Sequence, residues 1–227
     1  MSEKDFLKAQ KSLLKAIDQL ESEKTLGIAL IEYSKTIIDR PDNHAKIVDS
    51  FAGHAVRLQN YVILRELRMW CLRVLEANGH SLPNVSSLIL KYESQLANRR
   101  RLDNPSWSET WLESDKISLR VSDFVKNVNA LTTSPAIKPM RVFRNEELAH
   151  LTRGMEQNKS KADSSISFKY SYNDVINIAN CAVDLISEAI RIVKYQSPDN
   201  DGLREILRSH YESYWNLLPK FSTLEDR

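Results

Sequence analysis

The 227 residues are 42% hydrophobic and 27% charged, with only 5 Gly and 7 Pro, a balance that favours long helices with few turns and allows a core that needs no disulfide or metal staple. A formal charge of +2 is too small to announce a nucleic-acid partner by itself, so local clusters must carry any such reading. The residues after Met1 are polar and no stretch approaches about 18 apolar residues, so neither a leader nor a membrane span is expected and the chain should be soluble and cytoplasmic.

Residues 4–39 read as helical, with Phe6, Leu7, Leu13, Leu14, Ile17 and Leu20 at three- and four-residue spacings. Glu21, Glu23 and Lys24 interrupt that pattern before 26–38, and Pro41 closes it. A helical pair or one bent helix is expected here, as an extension over residues 1–40. From 44 to 78 the apolar residues Val56, Tyr61, Leu64, Leu67, Trp70 and Val74 cover more than one face, the mark of a central helix, and Asn78-Gly79 supplies its stop. Helix restarts near Ser81 and Pro83 and runs on to Arg99, Arg100 and Arg101, where Asp103, Asn104 and Pro105 break it. Such a cationic run at a helix end reads first as solvated and second as a phosphate contact.

Residues 107–131 form a further amphipathic pattern, ended by Thr132, Thr133, Ser134 and Pro135. A helix follows over 139–157, with Pro139 in its first turn, and 158–167 reads as a mobile polar loop. The clearest helix is 172–195, where Val175, Ile178, Ala179, Ala182, Val183, Ile186, Ala189, Ile190 and Val193 keep a 3, 4, 3, 4 spacing. A turn at 198–202 leads to a last amphipathic helix over 203–218. Cys71 and Cys181 lie far apart inside apolar helical patterns and read as reduced core thiols. With no alternating strand pattern, the expected fold is all-α: one domain over 1–227, a bundle of about six to eight helices without a sheet, with a C-terminal helix at 200–227.

The chemistry concentrates in RVFRNEELAHLTRG at 141–154. An arginine can hold a phosphate and offset charge that builds in a transition state, and an imidazole can move a proton. At roughly 100° per residue, Arg144, Glu147 and His150 share an arc with Met140, Phe143, Leu148, Leu151 and Met155, the face that should be buried. Charges interleaved with an apolar stripe are a local conflict of the kind functional sites produce. Glu147 lies one turn from both partners, so it can pair with Arg144, orient His150, or both. Asn145 points about 100° from Arg144, unless the helix starts afresh there with Asn145 as its N-cap. Arg141 and Arg153 are read as turned away and solvated. Spacing alone favours an ordinary Arg144–Glu147 ion pair and a surface histidine, since ion pairs on helix surfaces are common.

Arg144-Asn145, five intervening residues from arginine to histidine, and His150 resemble the signature of the HEPN superfamily. The Ala149-His150 ending, with WCLRVLEANGHSLPNVSSLI at 70–89, is similar to the AbiU-type branch found in abortive-infection systems, a resemblance that implies a HEPN-like core over 45–195. The resemblance implies a metal-independent endoribonuclease acting on RNA in phage defence or as a toxin. It further implies a homodimer whose motif helices face each other, His150 moving the proton of the attacking 2′-OH, Arg144 stabilising the phosphorane and Asn145 holding Arg144 or the phosphate in place. An antitoxin or defence-system partner belongs to the same picture. Leu151 and Thr152 stand where some toxin members carry a tyrosine two residues past the histidine, so control through that residue is not carried over. The alternative is a non-catalytic HEPN-like binding or scaffold module. His44 and His80 read as turn residues, His54 lacks an acidic or cysteine partner at ligand spacing, and His210 lies on the last helix, so no zinc site and no cofactor are expected.

Overall fold

The structure is a computed structural model that describes residues 3–38, 53–103, 114–153 and 172–217, with the backbone alone described at 3–9, 99–103, 114–116 and 146–153. Among the described residues there are eight α-helices, one 3₁₀ turn and no strand: α1 Glu3–Ile38, α2 Gly53–Leu75, α3 Leu82–Lys91, α4 Glu93–Asp103, α5 Ser114–Thr132, the 3₁₀ turn Pro135–Ile137, α6 Lys138–Arg153, α7 Tyr172–Lys194 and α8 Asn200–Leu217. The all-α bundle expected from the periodicity is the fold observed. The start of the 107–131 pattern and the 158–167 loop lie outside the described residues.

α7 is the spine. Its stripe from Val175 to Val193 is buried throughout and packs against α1, α2, α3 and α5. Leu13, Ile17, Leu20, Ile28 and Ile31 of α1, Leu67, Trp70 and Val74 of α2, and Val121, Phe124 and Val128 of α5 join it in one hydrophobic cluster. Burial on this scale supplies the main driving force for a bundle of this size.

The polar run in the first segment does not break it: α1 is a single helix of 36 residues. Glu21 and Glu23 interrupt the apolar pattern where neighbouring helices bring cations to that surface. Lys194 of α7 places its Nζ 2.6 Å from Glu21 and 2.7 Å from Asp18, and Arg73 of α2 donates to both carboxylate oxygens of Glu23 at 3.3 Å. Segment 81–103 also differs from one long helix, since Tyr92 separates α3 from α4. Cys71 is fully buried, and burial pushes its thiol up, whereas Cys181 lies on the exposed side of α7 and is no core residue.

α8 is fastened along α1. Asp199 caps it, its Oδ1 accepting from the Gly202 N–H at 2.9 Å, so the helix starts two residues before Gly202 where a turn was expected. Its aromatic residues Tyr211 and Trp215 pack on Tyr33, and the Trp215 indole donates to Thr36 Oγ1 at 3.0 Å. Beside them the completely buried Glu32 accepts from Arg204 at 2.8 Å, Arg208 at 2.9 Å and Lys35 at 3.2 Å. Burial pushes the Glu32 carboxyl up, but those three donors outweigh it and hold it below its ordinary value of 4.5. Its contribution to stability is therefore fully present above pH 4.5 and is lost as pH falls through the lower native value. Urea midpoints measured down an acid series should fall more steeply for the parent than for Glu32→Gln. Parallel curves would show that this carboxylate is not linked to folding.

Candidate functional site

The motif helix is set in place by its first turns. Ser134 starts the 3₁₀ turn by accepting from the Ala136 N–H at 3.3 Å, and α6 continues from it with Pro139 in its first turn. Met140 and Phe143 are buried against the bundle, as the helical spacing requires. The Arg68 guanidinium of α2 lies 4.6 Å from the Phe143 ring centre and 5.4 Å from that of Tyr172, tying α2, α6 and the start of α7 together.

Arg144 projects from the next turn and is 26% exposed, neither core nor open surface. Its Nη1 donates to Glu76 Oε2, while Nε and Nη2 both donate to Asn145 Oδ1, at 3.3 and 3.2 Å. Three of the five guanidinium N–H groups are thus engaged on two sides, which fixes the plane of the fork. Asn145 is exposed and lies inside a continuous helix, so it is no N-cap. Although it starts about 100° round the helix, its amide reaches back to hold Arg144. The same carboxylate binds a second arginine: Arg141 Nε is 3.5 Å from Glu76 Oε1. Arg141 therefore does not turn away. Residues three apart on a helix are neighbours, and Arg141 and Arg144 share one anion between two cations.

Glu147 and His150 follow on the same continuous helix at three-residue intervals, within about 120° of Arg144. Their side chains, and those of Leu148, Leu151 and Arg153, lie outside the described residues, as does Met155. The ion pair read between Arg144 and Glu147 belongs with them. Among the described residues the carboxylate on Arg144 is Glu76, 68 positions away in the chain.

Glu76 opens a bend at 76–80 between α2 and α3. Gly79 adopts φ +56°, the left-handed conformation that an L side chain resists, and its carbonyl accepts from Asn84 Nδ2 at 2.8 Å. Between this bend, α1, the end of α2 and Arg144 lies an open cleft of about 610 Å³. Leu20, Leu72 and Val74 border it but are almost fully buried, Met69 is half-buried, and Gln19, Ser22, Asn78 and His80 stand among the polar lining. Arg73, paired with Glu23 and Glu66, closes one side. His80 is thus an exposed turn residue, as expected, but it also shares a cleft with the motif arginine. Sequence reading did not single out Glu76, and it set Arg141 aside as solvated and His80 as a turn residue. One signal was available: an acid at a helix C-terminus opposes the macrodipole, where a cation is the favoured residue, and so invites the question of what it holds.

No group of three or more His, Cys, Asp or Glu among the described residues is placed to hold a metal ion. No described helix is long and apolar enough to cross a membrane. Neither the curated proteins nor the solved structures contain a match to this chain. A family model described as AbiU2, of the HEPN group, matches residues 11–214, which takes in all of α2 to α7 and most of α1 and α8. With nine-tenths of its length matched, including the bend that carries Glu76 and the helix that carries Arg144, Asn145 and His150, this chain belongs to the HEPN AbiU2 family.

Proposed function

We infer that the chain is a metal-independent endoribonuclease that acts as a homodimer in phage defence or as a toxin. The observation that carries this reading is the Arg144 guanidinium, held in one plane by Glu76 and Asn145 at the wall of an open cleft. Preorganised donors of this kind stabilise charge that develops on a phosphate without reorganising during the reaction. His150, on the same helix, is the proton carrier: it takes the proton from the ribose 2′-OH as that oxygen attacks the adjacent phosphorus, and a proton is returned to the departing 5′-oxygen. The products are a 2′,3′-cyclic phosphate and a 5′-hydroxyl. Purified protein should cut RNA in EDTA with these ends, and His150→Ala should remove the activity while the circular dichroism spectrum stays helical. Cleavage that needs a divalent metal, or that persists in His150→Ala, overturns the reading.

One observation favours the second reading, a non-catalytic binding or scaffold module: Glu76 already neutralises Arg144 within the chain. That reading expects no cleavage by the parent and unchanged partner binding in Arg144→Ala and His150→Ala.

A further inference from the structure

The carboxylate of Glu76 faces two guanidiniums. Arg144 Nη1 donates to its Oε2, and Arg141 Nε stands 3.5 Å from its Oε1. The Arg144 contact already meets the charge of the carboxylate, so the second arginine leaves one positive charge unmatched beside the motif. Like charges at neighbouring positions of a helix repel, a cost that a further anion would lift. The two arginines also differ in what they still offer. Every guanidinium nitrogen of Arg144 is engaged, with Glu76 or with Asn145. Arg141 meets Glu76 through Nε alone, and among the described residues its two terminal nitrogens, with their four N–H groups, have no hydrogen-bond partner. Its side chain is 42% exposed, and unlike Arg144 it is not part of the cleft lining. One turn further back on α6 stands Lys138, exposed and without a charged partner among the described residues. Cations at 144, 141 and 138 thus step along α6 at three-residue intervals, about 4.5 Å of helix each.

We propose that this row is the track of the RNA backbone as it leaves the motif: Arg141 holds the phosphate next to the scissile one, and Lys138 attracts the phosphate beyond it. The assignment rests on the ribonuclease reading for the identity of the ligand as RNA, and it adds the direction in which the strand runs over the chain. Glu76 anchors Arg141 by Nε, which leaves the two terminal nitrogens side by side to donate in parallel to one phosphate group. A single strand carries a phosphate at every nucleotide, so a row of cations spaced by a helix binds it without reading its bases.

Binding is measured with the full chain and a fluorescent 2′-O-methyl RNA strand, which lacks the attacking hydroxyl, by anisotropy in EDTA over a salt series. Arg141→Ala is expected to weaken binding about tenfold and to reduce the slope of log binding constant against log salt by about 0.7, the share of one phosphate on a single strand. Arg141→Lys keeps the charge and should restore the slope. Arg57→Ala removes an exposed cation at the far end of α2 and should change neither quantity. In cleavage of unmodified RNA, Arg141→Ala should raise KM about tenfold, the loss falling on KM more than on kcat. A parent that binds in this Arg141-dependent way yet cleaves no RNA supports the track and overturns the ribonuclease reading. A parent that does not bind the strand, or an Arg141→Ala variant with the affinity and salt slope of Arg57→Ala, overturns the track even if RNA is cleaved.

Discussion

Arg144→Lys is expected to slow RNA cleavage by about 10²- to 10³-fold while leaving the bundle folded. The substitution keeps the charge, so a simple cationic contact would lose little. What it removes is the planar fork: an ammonium cannot donate to Glu76 on one side and twice to Asn145 on the other while still aiming N–H groups at a phosphate. Stability should change by less than about 1 kcal/mol, because the ion pair is partly exposed and α6 is anchored by Met140 and Phe143. Asn145→Ala keeps the guanidinium and its bond to Glu76, so its effect should be smaller, about tenfold, and confined to kcat. Single-turnover rates with excess enzyme would read both. A lysine variant within tenfold of the parent would mean that Arg144 acts as a point charge, and the constrained fork would lose its place in the mechanism.

That fork also marks where sequence reading ran out. The α7 stripe was fully legible, because a 3, 4, 3, 4 spacing has one packing solution and the observed helix buries every residue in it. The polar run at 21–24 was misread as a break because the pattern shows only what α1 loses there. Asp18, Glu21 and Glu23 are matched by Lys194 and Arg73, which are remote in sequence. The site failed in the same way. Helical geometry placed Arg144 on the face that should be buried, and the motif named Asn145 beside it, but the partner that fixes the guanidinium is Glu76, on a bend that only the tertiary fold brings near. Local periodicity reports which residues share a face. It does not report what lies across from them, and for ion pairs that partner decides the chemistry.

Trp70→Ala is expected to destabilise the fold by about 3–5 kcal/mol and to open the cleft at the same time. The indole is fully buried in α2, and its Nε1 donates to the Glu23 carbonyl of α1 at 2.8 Å. Its six-membered ring lies beside Gly27 of α1, where a Cβ would collide with it. This contact sets the spacing of α1 and α2, and those two helices carry Gln19, Ser22, Glu23 and Arg73 to the cleft lining. Gly27→Ala supplies the independent check. In an unconstrained helix that change gains about 1 kcal/mol, but here the methyl group must displace a rigid buried ring, so a net loss of about 1–3 kcal/mol is expected. In a Trp70→Ala background the obstacle is gone, and the same substitution should become neutral or stabilising. Urea unfolding of the four proteins closes the cycle. Additive losses would mean that the indole does not set the helix spacing, and the cleft wall would then depend on the ion pairs of Arg73 with Glu23 and Glu66.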